Sequence, residues 1–257
     1  MSSLTEDYYS TEDINKLTDG ICCRDLFAVH VNAVSLLKNF DNIAILIEKM
    51  KFPNIICVSE TRLKDNKINA QLNFVTIPNY DLVYDNSATN AGGVAVYVKK
   101  TSLRYKVKAE SKLTLAECES LFLELETVSE SNNKTKPKSL ILACVYRHPK
   151  QQSQNFVDEL YKKLSIFADR NIPVVILGDI NIDTCKTTNK ATVEYNNTLL
   201  SIGCVNMIKQ HTRVGANSRT TLDHVVTNID PELIICGVLD EPFTDHMPIF
   251  SFAKKYF

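Results

Sequence analysis

Val174-Val175-Ile176-Leu177-Gly178-Asp179-Ile180-Asn181 is an apolar run that stops in an acid and an amide, and its reading decides the fold. Pro173 keeps a helix from running into it, and the β-branched Val174, Val175 and Ile176 favour a buried extended backbone. The same form recurs along the chain. Leu26–Asn32 ends in Asn32, the run 55–58 leads into Glu60, the run 222–226 carries Asp223-His224, and Asp245-His246 precedes the run 249–252. Further strands are expected at 80–84, 93–98, 105–108, 120–125, 140–146, 206–209 and 233–236, with a surface hairpin loop over 129–138. Phe40, Ile43, Ile47 and Met50 predict a helix over 40–50, stopped by Pro53. Phe156, Leu160, Leu164 and Phe167 predict a second over 154–169 with Ser153 as its N-cap, and a third over 192–201 stops at Gly203. About ten strands in adjacent runs with three helices fit two packed sheets with helices outside, rather than a doubly wound parallel sheet. Residues 1–24 are polar and acidic and read as an N-terminal arm or short helix, with a single domain over 25–257.

Composition narrows the class. The chain has 257 residues, 29 Lys and Arg against 30 Asp and Glu, 44% hydrophobic and 23% charged residues, and a net charge of −1. That balance excludes a disordered tail, a fibre and a supercharged nucleic-acid packaging protein. Only seven glycines occur, where average usage gives about eighteen, so each is expected at a turn or close approach. The eight cysteines (22, 23, 57, 118, 144, 185, 204 and 236) form no C-x-x-C pair, and several sit in apolar runs. Buried reduced thiols in an intracellular protein are the expected reading. No run approaches the about 18 apolar residues of a membrane span, and no apolar leader opens the chain.

The strand-end residues are the chemical candidates. A carboxylate at the end of a buried strand is rigidly held at the mouth of a sheet, as a metal or general-base role requires. In an extended segment i and i+2 share a face, so Asp179 and Asn181 are expected side by side. There a carboxylate can deprotonate a water while a neutral amide donates to a phosphoryl oxygen; the same pair also suits an Asx turn. Glu60 suits a hard cation such as Mg²⁺, which favours one or two carboxylates plus waters, or a surface pair with Arg62. Asp223 and Asp245 beside His246 suggest an acid–imidazole pair in which the carboxylate fixes the tautomer and favours the charged ring. His30, between Val29 and Val31, reads better as a satisfied core histidine. Arg147, His148 and Lys150 follow Tyr146, and Arg213 and Arg219 flank the segment before Asp223. These basic loop positions suit a surface that tracks a phosphate backbone.

The order of these residues carries a resemblance. The motifs are His30-Val31-Asn32-Ala33-Val34-Ser35-Leu36, Ser59-Glu60-Thr61, Ala91-Gly92-Gly93-Val94-Ala95, Tyr146-Arg147-His148-Pro149, Gly178-Asp179-Ile180-Asn181-Ile182-Asp183, Thr221-Leu222-Asp223-His224 and Thr244-Asp245-His246-Met247-Pro248-Ile249. In this order the chain resembles the endonuclease/exonuclease/phosphatase superfamily, the deoxyribonuclease I-like fold. Within it, the chain looks most like the apurinic-type endonuclease domain of non-LTR, LINE-like retrotransposons, over roughly residues 7–253.

The resemblance implies a four-layer α/β-sandwich: two mixed β-sheets packed face to face, with helices on both outer faces. It implies Mg²⁺, or Mn²⁺ in its place, held by Glu60 with Asn32 and Asp245 in support. Asp179 would activate water, Asn181 and Tyr146 would bind the scissile phosphate, and His246 paired with Asp223 would stabilise developing charge. The implied activity is hydrolytic nicking of double-stranded DNA, leaving 3′-hydroxyl and 5′-phosphate ends. In a retroelement that 3′-hydroxyl would prime reverse transcription. The implied setting is a monomer in the nucleus, away from membranes, with a reverse transcriptase domain or element RNA as companions in a polyprotein. One departure is Val34, where the family usually has an Arg. The alternatives are a phosphatase or RNA nuclease on the same fold, and a catalytically inactive DNA-binding module.

Overall fold

Strands whose every residue is buried need cover on both faces, and this chain supplies it twice. The structure is a computed structural model and describes residues 8–22, 24–87, 91–127, 139–242, 244–254 and 256–257. The elements run α1 (Thr11–Leu17), β1 (Leu26–Asn32), α2 (Leu36–Lys49), β2 (Ile55–Ser59), α3 (Ile68–Leu72), β3 (Tyr80–Asp85), β4 (Val94–Lys99) and β5 (Leu103–Val107). They continue β6 (Cys118–Thr127), β7 (Leu140–Arg147), α4 (Ser153–Ala168), β8 (Val174–Asp179), α5 (Lys190–Ser201) and β9 (Val205–Asn206). The last are β10 (Arg213–Gly215), β11 (Ser218–Thr220), β12 (Asp223–Thr227), β13 (Ile235–Val238) and β14 (Ile249–Ala253).

Two six-stranded sheets result, in the orders β13-β14-β1-β2-β4-β3 and β5-β6-β7-β8-β12-β9, with β10-β11 as a separate hairpin. Both sheets are mixed. β1 is parallel to β2 and antiparallel to β14, and β7 is parallel to β8 and antiparallel to β6.

Strand parity sorts the apolar residues into three layers. Leu26 and Ala28 of β1, Ile55 and Cys57 of β2, Leu140, Leu142 and Cys144 of β7 and Val175 and Leu177 of β8 pack between the sheets. The alternate residues Phe27, Val29 and Val31 face outward with Ile43, Leu46 and Ile47 of α2 and Ile14 of α1. On the other side Ile141, Val145 and Ile176 pack with Phe156, Leu160 and Leu164 of α4 and Tyr195 and Leu199 of α5. Helices, two sheets and helices make the four layers expected from the resemblance.

Boundaries moved where local chemistry outweighed the pattern. The helix expected over 40–50 starts at Leu36. Ser153, expected as an N-cap, is the first residue of α4 and Gln152 holds the capping position without a side-chain bond. The strand expected over 206–209 stops at Asn206, whose side-chain oxygen accepts from Ile208 N at 3.2 Å and turns the chain. The short α1 carries a capping box between Ser10 and Asp13. The loop expected over 129–138 lies outside the described residues. The seven described cysteines are free; Cys57, Cys118, Cys144 and Cys204 are buried, but Cys22 and Cys185 are exposed rather than in the core.

Gly178 shows why one of the scarce glycines sits in β8. A Cβ there would lie 1.8 Å from the Val145 carbonyl oxygen of β7. Gly178→Ala is therefore expected to lower unfolding stability by about 2–3 kcal/mol, read as the denaturant midpoint at constant slope. An unchanged midpoint would mean that the two strands are less closely apposed than described.

Candidate active site

The layer between the sheets is apolar at one end and polar at the other. The parity that buries Leu26 and Ala28 also turns His30 and Asn32 toward the second sheet, and the parity that buries Val175 and Leu177 does the same for Asp179. Asn32 Nδ2 is 2.9 Å from Asp179 Oδ2 and 3.1 Å from Glu60 Oε1, so one amide donates to both carboxylates across the sheets. Its orientation is fixed by backbone chemistry: Val34 N–H donates to Asn32 Oδ1 at 3.0 Å, which leaves the amino group for the acids. Asn32 thus offers Glu60 and Asp179 a donor where direct metal ligation would need its oxygen. In this arrangement it holds the two carboxylates in place, and its oxygen keeps one further lone pair.

Glu60 follows β2 at φ +50°, and its Oε2 accepts from Arg62 Nη2 at 2.6 Å. Each of its oxygens has one protein partner and a lone pair to spare, and the side chain keeps 14% exposure at the mouth of the site. That donor set fits a hard divalent cation with waters completing its shell. Asp245 stands apart from this network. Its carboxylate is paired with Arg213 Nε at 2.8 Å on the exposed rim.

The buried charges form a triangle. Among the described residues, Asp179, Asp223 and His246 each bring a ligand-type atom within 4.8 Å of the others. His246 Nδ1 is 2.8 Å from Asp223 Oδ2. Burial opposes charge on this ring, but Asp223, its hydrogen bond, Asp179 and Asp245 outweigh it and raise His246 to about 9. Burial likewise works to raise Asp223, and the adjoining imidazolium holds it below the usual carboxylate value. Asp179 goes the other way: burial, then the neighbouring Asp223 charge, push it up to about 8, against the pull of His246 and Asn181 N–H. With its ring charged, His246 has no lone pair for a metal at Nδ1, so a cation is better served by Glu60.

Other expected residues take different places. The strand ends at Asp179, and Asn181 turns at φ +52° with its N–H on Asp179 Oδ1 at 3.1 Å. Its side chain therefore leaves the face that an extended i, i+2 pair would share; Nδ2 donates to the Arg147 carbonyl at 2.8 Å. Tyr146 lies opposite Asp179 in the β7–β8 register, and burial together with the Glu60 and Asp179 charges raises its phenol well above the ordinary value, leaving a neutral donor. Arg147, expected on a phosphate-facing loop, is buried. It donates to the carbonyls of Ile180 and Asn181 at 2.6 Å each and to that of Gln151. It fixes the turn that carries Asn181. His148 packs edge-on to Tyr146 and lines, with Lys150, Glu117 and Glu119, a cavity of about 230 Å³ beside the site. Arg219 is exposed on β11 of the hairpin, opposite Val214. A larger open cavity of about 890 Å³ lies at the far end of the sheets around Ser139, Pro173 and Asn228, away from the acid cluster.

Three further groups support the site. His30 is fully buried with Nε2 3.1 Å from Ser59 Oγ and Nδ1 3.6 Å from Asp223 Oδ1; burial lowers it to about 4 despite Asp223, so the ring is neutral. This is the core histidine expected from its valine neighbours. Thr212 Oγ1 accepts from Asp223 N at 2.9 Å, and Thr244 Oγ1 accepts from His246 N at 3.1 Å. Their sequence surroundings gave no comparable signal.

The sequence pattern of the Endonuclease/Exonuclease/phosphatase family matches residues 27–246. The AP endonuclease LMAP from Leishmania major superposes at TM-score 0.69, with 15% identity over 90% of this chain and 88% of that one. The endonuclease domain of TRAS1, a telomere-specific non-LTR retrotransposon, gives 0.66 with 13% identity over 91% and 100%. The human Nocturnin catalytic domain gives 0.63 with 13% identity over 91% and 94%. No curated protein sequence matches the chain.

The His246 shift makes a pH prediction. Its folded value near 9 stands above the unfolded value of about 6.5, so the pair's contribution to stability is full below about 6.5 and is lost as pH rises through about 9. An NMR titration of the ring is expected to show a midpoint near 9 in the wild type and a lower one in Asp223→Asn. A wild-type midpoint in the ordinary histidine range contradicts the buried ion pair.

Proposed function

The chain belongs to the endonuclease/exonuclease/phosphatase family, and from that membership we propose that it is a divalent-metal-dependent endonuclease that nicks double-stranded DNA. The observation that carries the reading is the Asn32 amide joining Glu60 and Asp179, with the Asp223–His246 pair beside them. Together these supply a cation site, a base and a fixed positive charge around one point, the set that in-line phosphodiester hydrolysis needs.

Glu60 would hold the metal, with Mg²⁺ favoured by its all-oxygen donor set. Such an ion, when bound, polarises a phosphoryl oxygen and neutralises charge developing on it. The chain's own residues do the rest. Asp179 accepts a proton from the attacking water once its carboxyl is ionised, its two oxygens oriented by Asn32 Nδ2 and Asn181 N–H. The charged His246 ring favours that ionised form. The imidazolium of His246, oriented by Asp223, stabilises charge on the phosphoryl oxygens, and the neutral Tyr146 hydroxyl donates to one of them. The water oxygen bonds to phosphorus as the P–O3′ bond breaks, and the released 3′ oxygen takes a proton from solvent, which leaves 3′-hydroxyl and 5′-phosphate ends. We place this activity in a retroelement setting, where the nicked 3′-hydroxyl primes reverse transcription; the likeness of fold to the TRAS1 endonuclease domain supports that reading. A net charge of −1 implies local phosphate contacts and marked salt dependence.

The test is nicking of supercoiled plasmid with Mg²⁺, against plasmid with chelator, RNA and inositol phosphates. Nicking that needs the metal is expected, with Glu60→Ala and His246→Ala each lowering the rate by about 10²–10⁴-fold. Unchanged nicking in either variant, or turnover confined to RNA or inositol phosphates, would overturn the assignment.

A further inference from the structure

Cys185 and His211 form a second chemical pair outside the acid cluster. Cys185 is one of two exposed cysteines among the described residues; the other is Cys22. Its Sγ lies 3.3 Å from His211 Nδ1 and 2.9 Å from Thr221 Oγ1. The Thr221 hydroxyl donates to the Gln210 carbonyl at 2.7 Å and so shows the sulfur only a lone pair. With that hydroxyl committed to a carbonyl, the His211 ring nitrogen is the base within reach of the thiol. An exposed thiol with a base in hydrogen-bond reach is arranged as a nucleophile. The charged groups around the pair do not displace this contact. Asp183 is paired with Lys186 at 3.3 Å, and its Oδ1 accepts from Cys185 N and Thr221 N at 3.3 and 3.1 Å. The Tyr8 hydroxyl donates to the His211 carbonyl at 3.1 Å.

We propose that Cys185 is a modification site for small disulfides, with His211 as its base. His211 Nδ1 takes the thiol proton, and the Cys185 thiolate attacks one sulfur of the disulfide. The new S–S bond to Cys185 forms as the old one breaks, and the departing thiolate leaves with its electron pair and recovers the proton from His211. The modification acts on the neighbouring site through the chain. Thr184 N donates to the Thr221 carbonyl at 3.2 Å, and Thr221 stands two residues before Asp223. An anionic adduct at Cys185 breaks the sulfur's contact with Thr221 and adds bulk and negative charge at the rim, so it lowers nicking. This last consequence rests on the nuclease reading; the thiol chemistry does not.

The experiment treats the reduced full chain with oxidised glutathione at pH 7 and follows each cysteine by mass spectrometry. Cys185 is expected to react about tenfold faster than Cys22. In His211→Asn and His211→Gln its rate is expected to fall to that of Cys22, while buried Cys57 and Cys144 stay unlabelled and so report an intact fold. Equal rates at Cys22 and Cys185 in the wild type, or no fall in whichever variant keeps its fold, overturn the site. Adducted protein is expected to lose nicking and regain it with dithiothreitol, and Cys185→Ser to nick normally with or without the disulfide. Full nicking by the adduct overturns the regulatory consequence. Reduced protein that forms the adduct but never nicks DNA contradicts the nuclease reading and supports the thiol site.

Discussion

The hydrogen bonds of the Asn32 side chain tie the two sheets together at their polar end. An amide buried between sheets must be satisfied at both its oxygen and its nitrogen. Here the oxygen takes Val34 N–H, and the nitrogen serves Glu60 from the same sheet and Asp179 from the other. Because the oxygen is committed to a backbone donor, the amino group has one orientation. The two carboxylates are thereby held at one end of a layer whose remainder is mainly Leu, Val, Ile, Ala and Cys. That apolar remainder sets the distance between the sheets, and the amide uses that distance to bring the acids together.

Charge is arranged economically around this contact. Two buried carboxyl groups, Asp179 and Asp223, share one buried imidazolium at His246, and only the hydrogen-bonded Asp223 is held firmly in its charged form by it. Burial raises the proton affinity of Asp179, and a cation at Glu60 or a phosphate drawn toward His246 would each change it. Neutral His30 stands behind Asp223 and fills the layer without adding another charge. Backbone strain collects at the same strand ends. Val34, Glu60, Arg62 and Asn181 all have φ between +50° and +53°, a region unfavourable for side chains other than glycine and most so for a β-branched valine. These positions give up some stability to turn the chain where the strands end beside the site.

Much of this was legible because strand parity and burial both follow a period of two. Leu26–Asn32 was readable to the residue, and the valines flanking His30 already marked it as a core histidine. The order of strand-end acids pointed to the fold more surely than any single motif. What escaped the sequence was set by contacts remote along the chain. Asn181 left the strand because Arg147, 34 residues away, captures the turn's carbonyl. Arg147 itself looked like a loop cation until its donors were counted. The β10-β11 hairpin is built from three-residue strands, too short for alternation to register. Asp245 was read beside His246 but pairs outward with Arg213, 32 residues earlier.

The central claim is that Asn32 and Asp179 act as one unit across the sheets. A double-mutant cycle on the metal-dependent plasmid-nicking rate tests it, using Asn32→Ala, Asp179→Ala and the double variant. Residues that act as a unit are strongly non-additive, so the double variant is expected to be no slower than the slower single one. Losses that multiply would show two independent contributions and contradict the account.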